Sequence, residues 1–242
     1  DGTIAESKSP ITEKMAGLLS QLLEQYHVCI ISGGMFEQFQ TQLLENLNID
    51  TLLLEKMHIM PTCGTRYYRF DNTKNDWQKK YAEDIPKKDR AEIISALEEQ
   101  AKKLGFYEKK TWGDIIEDRK SQITFSALGQ KAPVDAKKAW DPDGSKKKKL
   151  RDAVAEIIPH FEVRTGGTTS VDVTKRGIDK AHGMQKLIEE LEISKEDILF
   201  IGDALQEGGN DYPVKAMGIN CVAVDSWQET ALVTEAIIKL GS

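Results

Sequence analysis

No apolar run in the chain approaches the roughly 18 residues that a membrane-crossing helix needs, and no signal-peptide pattern opens it. Cysteine is scarce: Cys29, Cys63 and Cys221 lie far apart and form no CxxC pair. That spacing argues against a disulfide framework and makes buried, reduced thiols in a cytoplasmic protein the expectation. The four histidines, His27, His58, His160 and His182, are scattered, so the His/Cys cluster that favours zinc is absent. An excess of basic charge is absent too. A net charge of −6 argues against nucleic acid as the main partner. It leaves a phosphorylated small molecule open, because local positive charge and a bound cation decide that case. No internal repeat is visible.

What is present is a composition of 40% hydrophobic and 30% charged residues, ordinary for a soluble globular protein. The 242 residues give room for a core plus an inserted domain. The first segment has an α/β rhythm. Ile11, Met15, Leu18, Leu19, Leu22 and Leu23 fall at helical spacing, the apolar run 27–31 follows, and a second helix-like stretch begins near Phe36. The C-terminal quarter repeats the pattern, with a helix from about Asp179 to Leu191, the run 198–202, another helix, the run 219–224, and a last helix from about Trp227. Such alternation predicts a parallel sheet covered on both faces.

The middle differs. A long amphipathic helix from about Lys87 to Leu104 precedes a strand-like stretch 122–126, a Lys-rich helix from Ser145, and β-type stretches 161–164 and 168–173. This order predicts an α+β domain, residues 77–172, inserted into a core made of 1–76 and 173–242. The charge run Lys146 to Lys149 opens a predicted helix and is expected to be a solvated face.

Chemistry-bearing residues recur at strand ends. The chain begins Asp1-Gly2-Thr3; a strand ends in Ser32-Gly33-Gly34; Lys180 opens a helix after the middle segment; a strand ends in Gly202-Asp203, with Gly208-Gly209-Asn210-Asp211 close behind. Each has an ordinary alternative: a serine-capped turn at Ser32, a surface lysine at Lys180, a bend at Gly208-Gly209. Asp203 is harder to dismiss, since a carboxylate closing an apolar strand is desolvated unless it is paired or metal-bound. In open α/β sheets ligands sit at the carboxyl ends of strands. A hydroxyl, an ammonium and several carboxylates gathered there suit phosphoryl transfer, with a hard cation such as Mg²⁺ on the carboxylates.

Asp1-Gly2-Thr3, Ser32, Lys180 and Gly202-Asp203 resemble the four motifs of the haloacid dehalogenase (HAD) phosphatases. The stretches 166–173 and 202–211 resemble the branch with a large α/β cap, which includes phosphomannomutases, sucrose-phosphate phosphatases and Cof-type sugar phosphatases. The resemblance implies a Rossmann-like parallel-sheet core with an inserted α+β cap. It also implies a Mg²⁺-dependent hydrolase of a sugar phosphate, working through an aspartyl-phosphate. Asp1 would be the general acid and base, and its carbonyl would bind Mg²⁺ with Asp203, supported by Asn210 and Asp211. Ser32 and Lys180 would hold the phosphoryl group, and Gly33, Arg119, Ser170 and Asp172 would contact substrate. The nucleophilic aspartate is expected two positions before Asp1, ahead of the sequence given.

Two other functions stay open at this point. A mutase would use the same aspartyl-phosphate but needs a second phosphate site, normally built from arginines. The phosphomannomutase branch places arginines in and just after the strand matching Gln122 to Gly129, whereas Gln130 and the arginine-free stretch 131–140 stand here. A non-catalytic binding protein on the same scaffold is the other alternative; the presence of Asp1, Ser32, Lys180 and Asp203 together argues against it.

Overall fold

The computed structural model describes residues 2–6 and 9–241. Contacts divide the chain into one unit that runs to Ala82 and resumes at Asp179, and a second unit, Glu83–Ile178.

In the first unit Thr12 caps helix α1 (Glu13–Gln25) by accepting the Met15 amide. The helix buries Met15, Leu18, Leu19 and Leu23, and each full burial of such a side chain is worth roughly 1.5–3 kcal/mol. Strand β1 (Val28–Ile31) follows, then α2 (Phe36–Gln42) and a short α3 (Thr51–Leu54). Strand β2 (Met57–Met60) pairs parallel to β1, with Val28 opposite Met57 and Ile31 opposite Met60. Period-two alternation splits these strands between two cores. Val28, Ile30, Met57 and Ile59 pack with α1. Cys29, Ile31 and Met60 face the other way, toward Met184 and Leu187. An antiparallel hairpin, β3 (Arg66–Asp71) and β4 (Asp76–Ala82), extends the sheet in the order β1-β2-β3-β4.

The second unit opens with α4 (Lys87–Lys103) and β5 (Ile116–Asp118), then β6 (Gln122–Ser126), α5 (Val134–Trp140), α6 (Ser145–Ile157), β7 (Phe161–Thr165) and β8 (Ser170–Lys175). Its four strands form an antiparallel sheet in the order β5-β6-β8-β7. Ile123, Phe125, Val163, Val171 and Val173 pack in one cluster with Ile93 and Leu97 of α4 and Leu150 and Val154 of α6. The alternating residues Gln122, Thr124, Asp172 and Arg164 make the opposite face polar. The lysine run at the start of α6 is only partly a solvated face. Asp141 accepts the Lys146 and Lys147 amides, the Lys146 ammonium lies 4.5 Å over the Trp140 ring, and Lys147 reaches the Gly167 carbonyl at 3.0 Å.

The chain then returns through α7 (Lys180–Leu191), β9 (Leu199–Gly202), α8 (Tyr212–Ala216), β10 (Asn220–Ala223) and α9 (Trp227–Gly241), with β9 and β10 parallel. The expected boundaries at 76/77 and 172/173 fall inside strands β4 and β8. Contacts put the divisions at 82/83 and 178/179 instead, because β4 keeps its ladder with β3 and β8 its ladders with β6 and β7. Among the described residues no helix is long and apolar enough to cross a membrane.

Candidate active site

Ser32 follows the last residue of β1 and is tied to the end of β2 by its amide, which donates to the Met60 carbonyl at 3.3 Å. Its hydroxyl accepts the Gly34 amide at 3.3 Å, so the turn and the candidate phosphate-binding hydroxyl are one feature. Gly33 lies beside Cys63: a Cβ on Gly33 would be 4.0 Å from the Cys63 sulfur.

Lys180 is the first residue of α7, whose start is fixed by Asp179 accepting the His182 amide at 3.0 Å. The Lys180 ammonium pairs with Asp211 Oδ1, and Ala204 donates its amide to Asp211 Oδ2 at 3.1 Å. The Asp211 amide returns to the Ala204 carbonyl at 3.2 Å, closing the loop 203–211 on itself. Gly208 enables this closure with φ +82°, and Gly209 lies so close to the Ala204 backbone that no side chain fits there. Asp211 is fully buried, with both carboxylate oxygens engaged. Asp211 thus faces the lysine and a backbone amide and holds both in place.

Asp203, immediately after β9, is exposed, and Thr3 donates its hydroxyl to Asp203 Oδ1 at 2.9 Å. Gly2 has φ +81°, and any Cβ there would run into the Asp203 carboxylate. The first motif and the fourth thus meet through Gly2, Thr3 and Asp203. Asp1 itself lies outside the described residues. Asn210 is exposed in the same loop as Asp203. Among the described residues no group of three or more His, Cys, Asp or Glu side chains converges to hold a metal.

Arg119, Ser170 and Asp172 belong to the second unit. Ser170 and Asp172 share the polar face of β8, since Val171 and Val173 point into the apolar cluster. Asp172 stands opposite Thr124 on one side and Arg164 on the other. Thr124 donates to its Oδ1 at 2.7 Å. Burial pushes the Asp172 carboxyl above the usual range; the Thr124 hydrogen bond and the Arg119 guanidinium pull in the opposite direction. Arg119 itself grips Glu117 Oε2 with Nε at 3.0 Å and Nη2 at 2.7 Å. A Cβ on Gly166 would come 2.5 Å from Asp172 Oδ2, so that glycine makes room for the carboxylate.

A family model of the haloacid dehalogenase-like hydrolases matches residues 1–224. The chain belongs to this family. Phosphomannomutase of Encephalitozoon cuniculi (strain GB-M1) is 24% identical to this hydrolase over 251 residues, covering 100% of this chain and 92% of that protein. Among solved structures, N-terminally truncated, IMP-bound Plasmodium falciparum IMP-nucleotidase superposes with a TM-score of 0.70 at 17% identity, covering 99% of this chain and 66% of that one. A trehalose-6-phosphate phosphatase related protein gives a TM-score of 0.57 at 15% identity, covering 100% of this chain and 95% of that one. The structural likenesses speak to the fold of the hydrolase.

Several residues of this hydrolase that shape the site escaped sequence reasoning. Thr3 was visible only as a motif letter, and its bond to Asp203 spans 200 positions. Thr124 and Arg164 flank Asp172 through strand register, which single-strand alternation does not reveal.

Proposed function

We propose that this hydrolase is a Mg²⁺-dependent phosphatase of a sugar phosphate, working through an aspartyl-phosphate on a nucleophile two positions before Asp1. The carrying observation is the buried Lys180–Asp211 pair beside the Asp203 loop. It fixes one ammonium at the start of α7 and closes the loop that carries the exposed Asp203 carboxylate, while the Ser32 hydroxyl lies at the end of β1. In this reading Lys180 balances charge on the phosphoryl group and Ser32 donates a hydrogen bond to it. Asp1 protonates the leaving oxygen and then takes a proton from the attacking water.

The oxygen-only donors Asp203 and Asn210, with the Asp1 carbonyl, fit a hard cation and would hold Mg²⁺. When bound, Mg²⁺ supplies positive charge against the phosphoryl oxygens. Thr3 keeps Asp203 oriented for that role. The second unit is taken as the cap, whose Arg119, Ser170 and Asp172 choose the substrate; Gly33, in the first unit, is taken separately as a substrate contact. Relatives named for a sugar-phosphate enzyme support that substrate class. Cytoplasmic residence belongs to the same reading, supported by three free cysteines, one of which, Cys29, has its thiol pushed up to about 12 by burial.

The test is a panel of hexose phosphates and nucleoside monophosphates, assayed for phosphate release with Mg²⁺ on protein carrying its first motif in full. Release from hexose phosphates should lead. A preference for nucleoside monophosphates would replace the sugar, and no release from any member would overturn the phosphatase reading.

A mutase is the second reading, favoured by the phosphomannomutase likeness along the whole chain. Against it, Gln130 stands where an arginine is expected. Its carbonyl accepts the buried Lys137 ammonium at 3.3 Å, which draws that lysine onto the backbone. Hexose 1-phosphate supplied with catalytic hexose 1,6-bisphosphate separates the two: conversion to hexose 6-phosphate outpacing phosphate release would establish the mutase.

A further inference from the structure

Three successive residues after β2 lie in the left-handed region: Thr62 at φ 50°, Cys63 at 56° and Gly64 at 82°. Glycine enters that region freely, while a β-branched threonine rarely does. Such backbone persists only where its surroundings over-determine it, and here they do. The Thr62 amide donates to the Gly34 carbonyl at 2.9 Å, the Cys63 amide to Ser32 at 2.9 Å, and the Gly64 amide to Pro61 at 3.0 Å. The Thr62 and Thr65 hydroxyls share a hydrogen bond of 2.6 Å, and the Thr65 hydroxyl lies 2.9 Å from the Thr62 carbonyl. Because all three amides have acceptors, the turn is not an anion-binding nest.

Its neighbours indicate another role. On one side it grips the Ser32-Gly33-Gly34 turn. On the other, Gly64 lies against Gly183: a Cβ on Gly183 would fall 2.5 Å from Ile31 Cδ1 and 2.7 Å from the Cys63 carbonyl oxygen. Gly183 lies about one helical turn beyond Lys180. From β4, the Tyr81 hydroxyl donates to the Gly64 carbonyl at 2.8 Å, and its ring packs 5.7 Å from that of Tyr67.

We propose that the Thr62–Thr65 turn, locked from β4 by Tyr81, sets Lys180 against Ser32, which makes Tyr81 a positioning residue for phosphoryl transfer. The role in transfer rests on the function proposed above; the lock itself does not. Tyr81→Phe keeps the ring and removes the bond to Gly64. Mass-spectrometric amide exchange should then run about tenfold faster in the peptide covering Gly183–Leu187, with β9 and β10 unchanged. With p-nitrophenyl phosphate and Mg²⁺, kcat should fall about five- to tenfold while KM stays within about twofold, as a displaced charge-balancing group requires. Unchanged exchange at Gly183–Leu187 overturns the lock. Faster exchange with unchanged kcat, or a KM rise at constant kcat, overturns the positioning role. If the unaltered protein releases no phosphate, the functional reading and the positioning role fall together, and the exchange measurement still decides the lock.

Discussion

Asp211 is fully buried against the ammonium of Lys180, whose side chain is itself only 11% exposed. A charge pair this enclosed stabilises only while both partners are present, because removing one leaves the other desolvated without a counter-charge. Asp211→Asn keeps an acceptor for the Ala204 amide but strands the ammonium. The expected outcome in urea unfolding is a loss of about 3 kcal/mol, at the lower end of what breaking a buried pair costs. A loss under about 1 kcal/mol would mean that Lys180 has another counter-charge, and the carrying observation for phosphoryl transfer would lose its force.

His58 gives the fold a pH dependence of definite sign. Its Nε2 lies 2.9 Å from His27 Nδ1 and its Nδ1 lies 2.7 Å from the Tyr67 hydroxyl. A neutral ring can serve both contacts, donating through one nitrogen and accepting through the other. Burial first, then the charges of Arg69 and His27, push the His58 pKa down to about 3. The unfolded chain binds a proton at this residue below about 6.5. Between those values the unfolded state holds more protons, so stability falls as pH drops, by about 1.4 kcal/mol per unit for this group. The urea midpoint should therefore decline from pH 6.5 to pH 4.5, and His58→Gln should flatten the decline. Equal slopes in the two proteins would rule this group out.

The same region shows why some of the fold was legible and some was not. Runs such as 27–31, 198–202 and 219–224 are apolar enough to be read as buried strands, and β1, β9 and β10 lie within them. The hairpin β3–β4 carries its strand signal in Tyr67, Tyr68, Phe70, Trp77 and Tyr81, which mixed lysines and arginines obscure, and most of its ladder is internal to the hairpin. At the candidate site, order along the chain singles out Lys180 and Asp203 as candidates. The two partners of Asp211, the Lys180 ammonium and the Ala204 amide, carry no local signal in the sequence. The Gly64–Gly183 contact joins positions far apart in sequence and leaves no local trace.

Thr3 should tune the cation without touching substrate. Its hydroxyl holds Asp203 Oδ1 at 2.9 Å, and loss of a bond that orients a ligand typically weakens metal affinity by about 10–100-fold. Thr3→Val should raise the Mg²⁺ concentration for half-maximal phosphate release by at least about tenfold, while saturating Mg²⁺ restores most of kcat. Excess chelator should abolish release in both proteins. An unchanged Mg²⁺ requirement would remove Thr3 from this role, and full activity in chelator would remove the cation from the mechanism.

Asp172 offers a test that separates a substrate-binding carboxylate from a structural one. Burial raises its pKa above the ordinary carboxylate value, so the folded state holds the proton more tightly than the unfolded state does. For an acid shifted in that direction, stability is complete at low pH and declines as pH rises through the folded pKa. Above the ordinary carboxylate range this group is thus a net burden on the fold, even with Thr124 donating to it. Asp172→Asn keeps an acceptor for Thr124 and removes the charge. Its Tm should lie above that of the unaltered protein at pH 7, and the gap should narrow as pH falls toward 4. A residue that weakens the fold while serving function shows both effects on replacement, so KM for the preferred sugar phosphate should rise in the same variant. A higher Tm with unchanged KM would leave Asp172 outside the substrate site. A lower Tm at pH 7 would show that the carboxylate stabilises the sheet through its Thr124, Gln122 and Arg119 neighbours, and would overturn the pKa-based argument as well.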